Sequence, residues 1–347
     1  MRKLESAARN DRISDETRIF EKLRRGAVLI CAGLSIAFAG AGPAAAERPA
    51  ISVTSPLRAS IAQIESHPSP APALYRLAED PAILVLDFPD IHVQALMLNR
   101  VAAFLEKNDT PRDRILGEAE LNEHIRAAGT NPDSYYAGHD YRGADLARFF
   151  RVARRQNMAL NAQESWLAAL VERQGWSRPH AFGALISIPG TSTAIDQAAR
   201  VAIFRHELSH GAYFTDPAYA ALSRRLWTVM LTGEERRSFA GFLGGEGYNA
   251  GDVDLMINET QAFLIHTGDR RFFDPADAGM SHARAAALRA AFIPEIDLAW
   301  LRRSAVRVLP AGSPAALAPQ RGALRHGRPA PAITDRRRGP AVSLCGG

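Results

Sequence analysis

Two histidines four residues apart, with a glutamate directly after the first, constrain this chain more than any other feature. Residues 204–214 read FRHELSHGAYF. On an α-helix each residue turns by about 100°, so His206 and His210 stand about 40° apart on one face, one turn up. Two imidazoles so placed can reach one metal ion at about 2.0–2.1 Å each. Glu207 lies beside them, too far round to share the ion but placed to take a proton from a water on it. Apolar Ile203, Phe204 and Leu208 would bury the same helix.

The flanks supply a context for that helix. The stretch AFGALISIPG (181–190) reads as a strand with a Pro-Gly stop. Thr193, with Asp196 three residues later, suggests the capped start of the helix, and Gly211 a residue at which it could end. Two histidines leave a catalytic zinc one protein ligand short. Glu259, 49 residues beyond His210, is the best third ligand. It lies on a predicted helix among Ile257, Ala262 and Phe263, and a buried carboxylate needs a cation. His266 is the runner-up, roughly on the same helix face, while Asp252 and Asp254 fall at a loop-helix junction. A hydrolase also needs a donor for the developing oxyanion. Tyr248, in the glycine-rich loop before the Glu259 helix, is the first choice, with His139, Tyr141 and Tyr213 as alternatives and Asp140 as a group that could orient a histidine.

His206-Glu207-x-x-His210 with the later Asn258-Glu259-x-x-Ala262 resembles the gluzincin group of zinc metallopeptidases. The resemblance covers roughly residues 180–268. It implies Zn²⁺ held by His206, His210 and Glu259, with Glu207 as general base. It also implies a mainly α, α+β zincin-like fold, with a small sheet beside the metal helix. In such folds an edge strand before that helix pairs with extended substrate, and ALISIP (184–189) sits where that strand should be. Two departures stand out. Many gluzincins carry an acidic residue four positions after the ligand Glu, where this chain has Phe263. The gap between the two motifs is also longer than in the best-known members.

Charge distribution narrows the partners. The net charge is +5, but residues 1–46 carry +3 and residues 310–347 carry +5, leaving the middle at −3. No basic stripe with interleaved aromatics crosses the middle, so nucleic-acid binding is excluded as the primary role. Residues 1–46 read as a signal peptide with an extended n-region: Arg24-Arg25, an apolar run, and an A-x-A site with cleavage after Ala46. The expected location is periplasmic or secreted, with no stable membrane span unless the signal stays uncleaved. Residues 47–72 read as a linker or lead-in, 73–309 as one helical metallohydrolase domain, and 310–347 as a disordered Pro/Ala/Arg tail. Cys31 falls in the signal and Cys345 in the tail, so no disulfide within the domain is available.

The expected function is zinc-dependent hydrolysis of peptide or amide bonds, with a peptide, protein or cell-wall amide as substrate. The alternatives are an exported non-catalytic binding protein with a structural metal site, and a non-peptide (cell-wall amide) hydrolase.

Overall fold

The computed structural model describes residues 55–307. The signal-peptide reading, both cysteines and the tail from residue 310 lie outside the described residues. The chain is mainly α with one small sheet, an α+β arrangement, and it begins in the sheet. β1 (Leu57–Ala59) leads into α1 (Ile61–Ser66), whose start is fixed by a capping box between Ser60 and Gln63. The described part of the 47–72 lead-in is thus built into the fold rather than linking to it.

β2 (Ala73–Leu77) and β3 (Ile83–Asp87) follow, then α2 (Ile91–Leu105) and α3 (Glu118–Ala127). Next come β4 (His139–Arg142), α4 (Gly143–Arg155), α5 (Ala162–Arg173) and β5 (Ala184–Ile188). The metal-motif helix is α6 (Gln197–Thr215), followed by α7 (Pro217–Arg225) and α8 (Gly233–Gly245). α9 (Val253–Gln261) carries Glu259, and α10 (His282–Phe292) and α11 (Ala299–Ser304) close the domain.

The strand order is β1-β2-β3-β5-β4, with β3 and β5 parallel and β4 antiparallel to β5. Every residue of β3 and β5 is buried, as expected of strands with both faces covered. Side chains alternate between two cores. Ile83, Val85, Ala184, Ile186 and Ile188 pack with α6 and the C-terminal helices, while Leu84, Leu86 and Leu185 pack with α2, α4 and α5. That alternation explains the unbroken apolar run of β3.

Three expectations change here. β5, read as the substrate-pairing edge, is internal, and the edge strand beside it is β4. β4 carries no strand signal in the sequence, because His-Asp-Tyr-Arg shows no apolar alternation. Its burial alternates all the same, with His139 and Tyr141 buried and Asp140 and Arg142 partly exposed. The cap of α6 is Asp196, which accepts from Ala199 N–H at 2.7 Å, not Thr193. Finally, Gly211 does not end α6, which runs on to Thr215. A Cβ at Gly211 would lie 2.9 Å from Ile83 Cδ1, so the glycine lets the helix press onto β3.

α6 is further pinned by Arg200, which reaches through the core to Asp87 at 2.8 Å and to the Ile64 carbonyl at 2.8 Å. Both partners of the ion pair are fully buried. Burial raises the Asp87 carboxyl, and Arg200 opposes that rise.

Candidate metal centre

α6 and α9 bring the three sequence-picked ligands together. His206, His210 and Glu259 each offer a ligand atom within 4.8 Å of the other two. Glu259 Oε2 lies 3.7 Å from His206 Nε2 and 3.8 Å from His210 Nε2. Two ligands about 2.1 Å from a tetrahedral ion would stand about 3.4 Å apart, so the spacing is within a few tenths of an ångström of closing on a cation.

The polar atoms are also left bare. His210 is fully buried, yet neither ring nitrogen has a hydrogen-bond partner, and Glu259 Oε2 has none either. A buried carboxylate or imidazole without a partner is costly. A cation would satisfy all three residues at once, and two imidazoles with one carboxylate suit zinc.

His206 is oriented from behind. Thr267 Oγ1 donates to the Ala262 carbonyl at 3.0 Å, so it accepts from His206 Nδ1 at 2.8 Å. That fixes the proton on Nδ1 and leaves the Nε2 lone pair facing the centre. Local backbone makes the contact: after α9 the chain widens into one π-helical turn, Ala262–His266, which returns Thr267 to Ala262. An acidic residue four positions after Glu259 was the expected support for a histidine, and Thr267 supports His206 instead. Phe263, at the position of that carboxylate, packs its ring against His206 with centroids 4.7 Å apart. Burial lowers His206 to about 4 and keeps the ring neutral.

His266 is not at the centre. Its Nδ1 meets Ser304 Oγ at 3.1 Å and its Nε2 meets Tyr219 OH at 2.9 Å, in a separate buried network. Asp252 caps α9, and Asp254 binds Arg142 at 2.7 Å, so neither ligates. Tyr213 turns its hydroxyl to Asp254, at 2.5 Å, rather than to His206, His210 or Glu259. His139 and Tyr141 project from β4 to the face opposite α6.

Tyr248 does reach the centre. Its phenol is raised by burial and then by the carboxylates of Glu259, Glu106, Asp140 and Glu207, so it stays a protonated donor. Burial pushes Glu259 up to about 7, and His210 and a hydrogen bond from Tyr248 work against that rise. Glu207 offers a carboxylate oxygen within 4.8 Å of a ring nitrogen of His210. Burial, then Asp140, Glu259 and Glu106, hold its carboxyl well above the usual range.

Two residues at the centre escaped the sequence reading or were given another place. Asp140 was assigned to the back of a histidine, but its Oδ2 lies 3.7 Å from His210 Nε2, on the metal-facing side. With Glu207 and His210 it forms a second group of donors within 4.8 Å of one another. Gly138, just before β4, is the other: a Cβ there would fall 2.2 Å from Glu207 Oε1. No local signal marks either one, since both depend on β4 lying against α6.

The chain matches no known protein family, no curated protein and no solved structure.

Proposed function

We propose that this protein is a zinc-dependent hydrolase of peptide or amide bonds, with His206, His210 and Glu259 holding the ion and Glu207 as general base. The observation that carries the reading is the convergence of two buried donors and one half-buried donor from two helices, with both His210 nitrogens and Glu259 Oε2 unpartnered.

Bound there, zinc would supply a Lewis acid and a water acidified toward neutrality. Glu207 takes the proton of the attacking water. Its desolvated setting makes it a stronger base than a surface glutamate. The same carboxyl then returns the proton to the leaving nitrogen as the C–N bond breaks. Tyr248 donates a hydrogen bond to the oxygen on which negative charge develops. An extended peptide adds to the free edge of β4, its backbone paired with the strand that carries Asp140. A cell-wall amide would need the same base and donor, and a panel of peptide and amide substrates separates the two.

One observation favours a second reading. Asp140, at 3.7 Å from His210 Nε2, could provide a fourth protein ligand and close the centre, as structural zinc sites are closed. The test is zinc content and turnover of the purified protein beside three variants. His206→Ala and Glu259→Ala should lose zinc. Glu207→Gln should keep about one zinc per chain and lose turnover by at least about a hundredfold. Zinc kept in Glu259→Ala would reject the ligand set. Undiminished turnover in Glu207→Gln would reject the base, and zinc without turnover in the wild type would favour the structural site.

A further inference from the structure

A lysine is buried beside this centre, and nothing above uses it. Lys107 follows the end of α2 and is 8% exposed. Its ammonium stands 4.3 Å from the Tyr136 ring centroid, 4.8 Å from that of Tyr135 and 5.6 Å from that of Tyr248. Its ammonium donates to the Glu246 carbonyl at 3.0 Å. Burying an ammonium is costly unless groups replace its water, and aromatic faces with a carbonyl do so.

The receiving loop is shaped for it. Gly247 has φ +87°, and a Cβ there would lie 3.0 Å from Lys107 Nζ. The backbones are joined as well. Lys107 and Tyr248 form an isolated antiparallel bridge, Asn108 N–H donates to the Gly247 carbonyl at 2.8 Å, and Asn249 N–H donates to the Glu106 carbonyl at 3.0 Å. The loop 246–249 is thereby fastened to the end of α2, although the residues are far apart in sequence.

We infer that Lys107 is the positioning residue for Tyr248: its caged ammonium clamps the 246–249 loop so that the phenol points at the metal centre. The inference rests on the proposed role of Tyr248 as oxyanion donor. The clamp itself exists whether or not that role holds. Glu106, Glu246 and Glu259 face the ammonium and favour its charge, and burial opposes them.

The test uses Lys107→Met, which keeps the length of the side chain and removes its charge, and Lys107→Gln, which shortens the side chain and replaces the ammonium by a neutral amide. Amide hydrogen exchange at Asn108 and Asn249 should quicken by at least about tenfold in both variants, while amides of β3 and β5 stay protected. Zinc content should be unchanged. The kcat should fall about ten- to a hundredfold with little change in KM. In a Tyr248→Phe background, Lys107→Met should lower kcat no further. Unchanged exchange at Asn108 and Asn249 would overturn the clamp. Quickened exchange with kcat effects that multiply rather than overlap would overturn its action through Tyr248. A wild type without zinc would sink the hydrolase reading while the exchange result still decides the clamp. Should Lys107→Met fail to fold, Lys107→Gln carries the same measurements.

Discussion

At Gly138 the absence of a side chain decides where the Glu207 carboxylate can stand. A Cβ there would lie 2.2 Å from Glu207 Oε1 and 2.7 Å from its Cδ, closer than atoms can pack. Gly138→Ala must therefore push the carboxylate aside while leaving His206, His210 and Glu259 untouched. Misplacing a reacting group by about 1 Å can cost about a hundredfold in rate. The expected outcome is a protein that keeps its zinc and loses turnover by about that factor, read from metal analysis and kcat side by side. Wild-type turnover in Gly138→Ala would mean that Glu207 does not act from where it stands. His206, Glu207 and His210 were legible in the sequence because their geometry is local, set by helical spacing alone. Glu259 was legible as a carboxylate among apolar neighbours. Gly138 and Lys107 were not, and Asp140 was read only as support for a histidine, because each matters only through a segment distant in the chain.

Among the elements, α6 was predicted as a helix and misread at both ends. Its start is fixed by charge as well as by a cap. Asp196 caps the first turn, and Arg271 grips the same carboxylate with two contacts of 2.9 Å. The hydrogen bonds from Arg271 and Ala199 lower the Asp196 carboxyl to about 2, below the ordinary carboxylate range. A depressed carboxylate contributes stability that is whole above its unfolded pKa, near 4, and is lost as pH falls through about 2. Asn caps a helix about as well as Asp but carries no charge. The stability difference between wild type and Asp196→Asn should thus be constant above about pH 5 and shrink toward zero near pH 2. Urea unfolding at a series of pH values reads it. A difference that holds steady down to pH 2 would show that the charge on Asp196 does not matter. The sequence reading made Asp196 the partner of a cap at Thr193, whereas in the fold Asp196 is itself the cap, held by Arg271, 75 residues away. β4 carries no strand signal for a related reason. Its buried residues, His139 and Tyr141, have polar ends and Asp140 turns to the centre, so it lacks the apolar pattern by which strands are recognised.

For the whole molecule, the sheet and two helices are arranged so that one cation would tie separate parts of the chain together. β3 and β5 hold α6 through Ile83, Gly211 and the Arg200–Asp87 pair, and α9 reaches the centre from a later stretch of the chain. Arg142 joins the end of β4 to α9 through Asp254, with its guanidinium 4.5 Å from the Phe214 ring centroid. Glu106, Asp140, Glu207 and Glu259 meet in this region, and each raises the pKa of Tyr248. That concentration of negative charge strains the fold when no cation offsets it. A ligand that binds only the folded state stabilises it by about 2.7 kcal/mol at a hundred times its Kd. Zinc added to chelator-treated protein should raise Tm by several degrees, and further chelation should reverse the rise. His206→Ala and Glu259→Ala should unfold at temperatures that zinc does not change. Asp87→Ala separates this from general fragility. Losing the partner of a fully buried arginine should cost about 3–5 kcal/mol, yet the zinc-dependent rise should remain, because Asp87 does not face the centre. A zinc response that vanishes in Asp87→Ala but survives in His206→Ala would place the cation elsewhere in the fold and reject the centre built on α6 and α9.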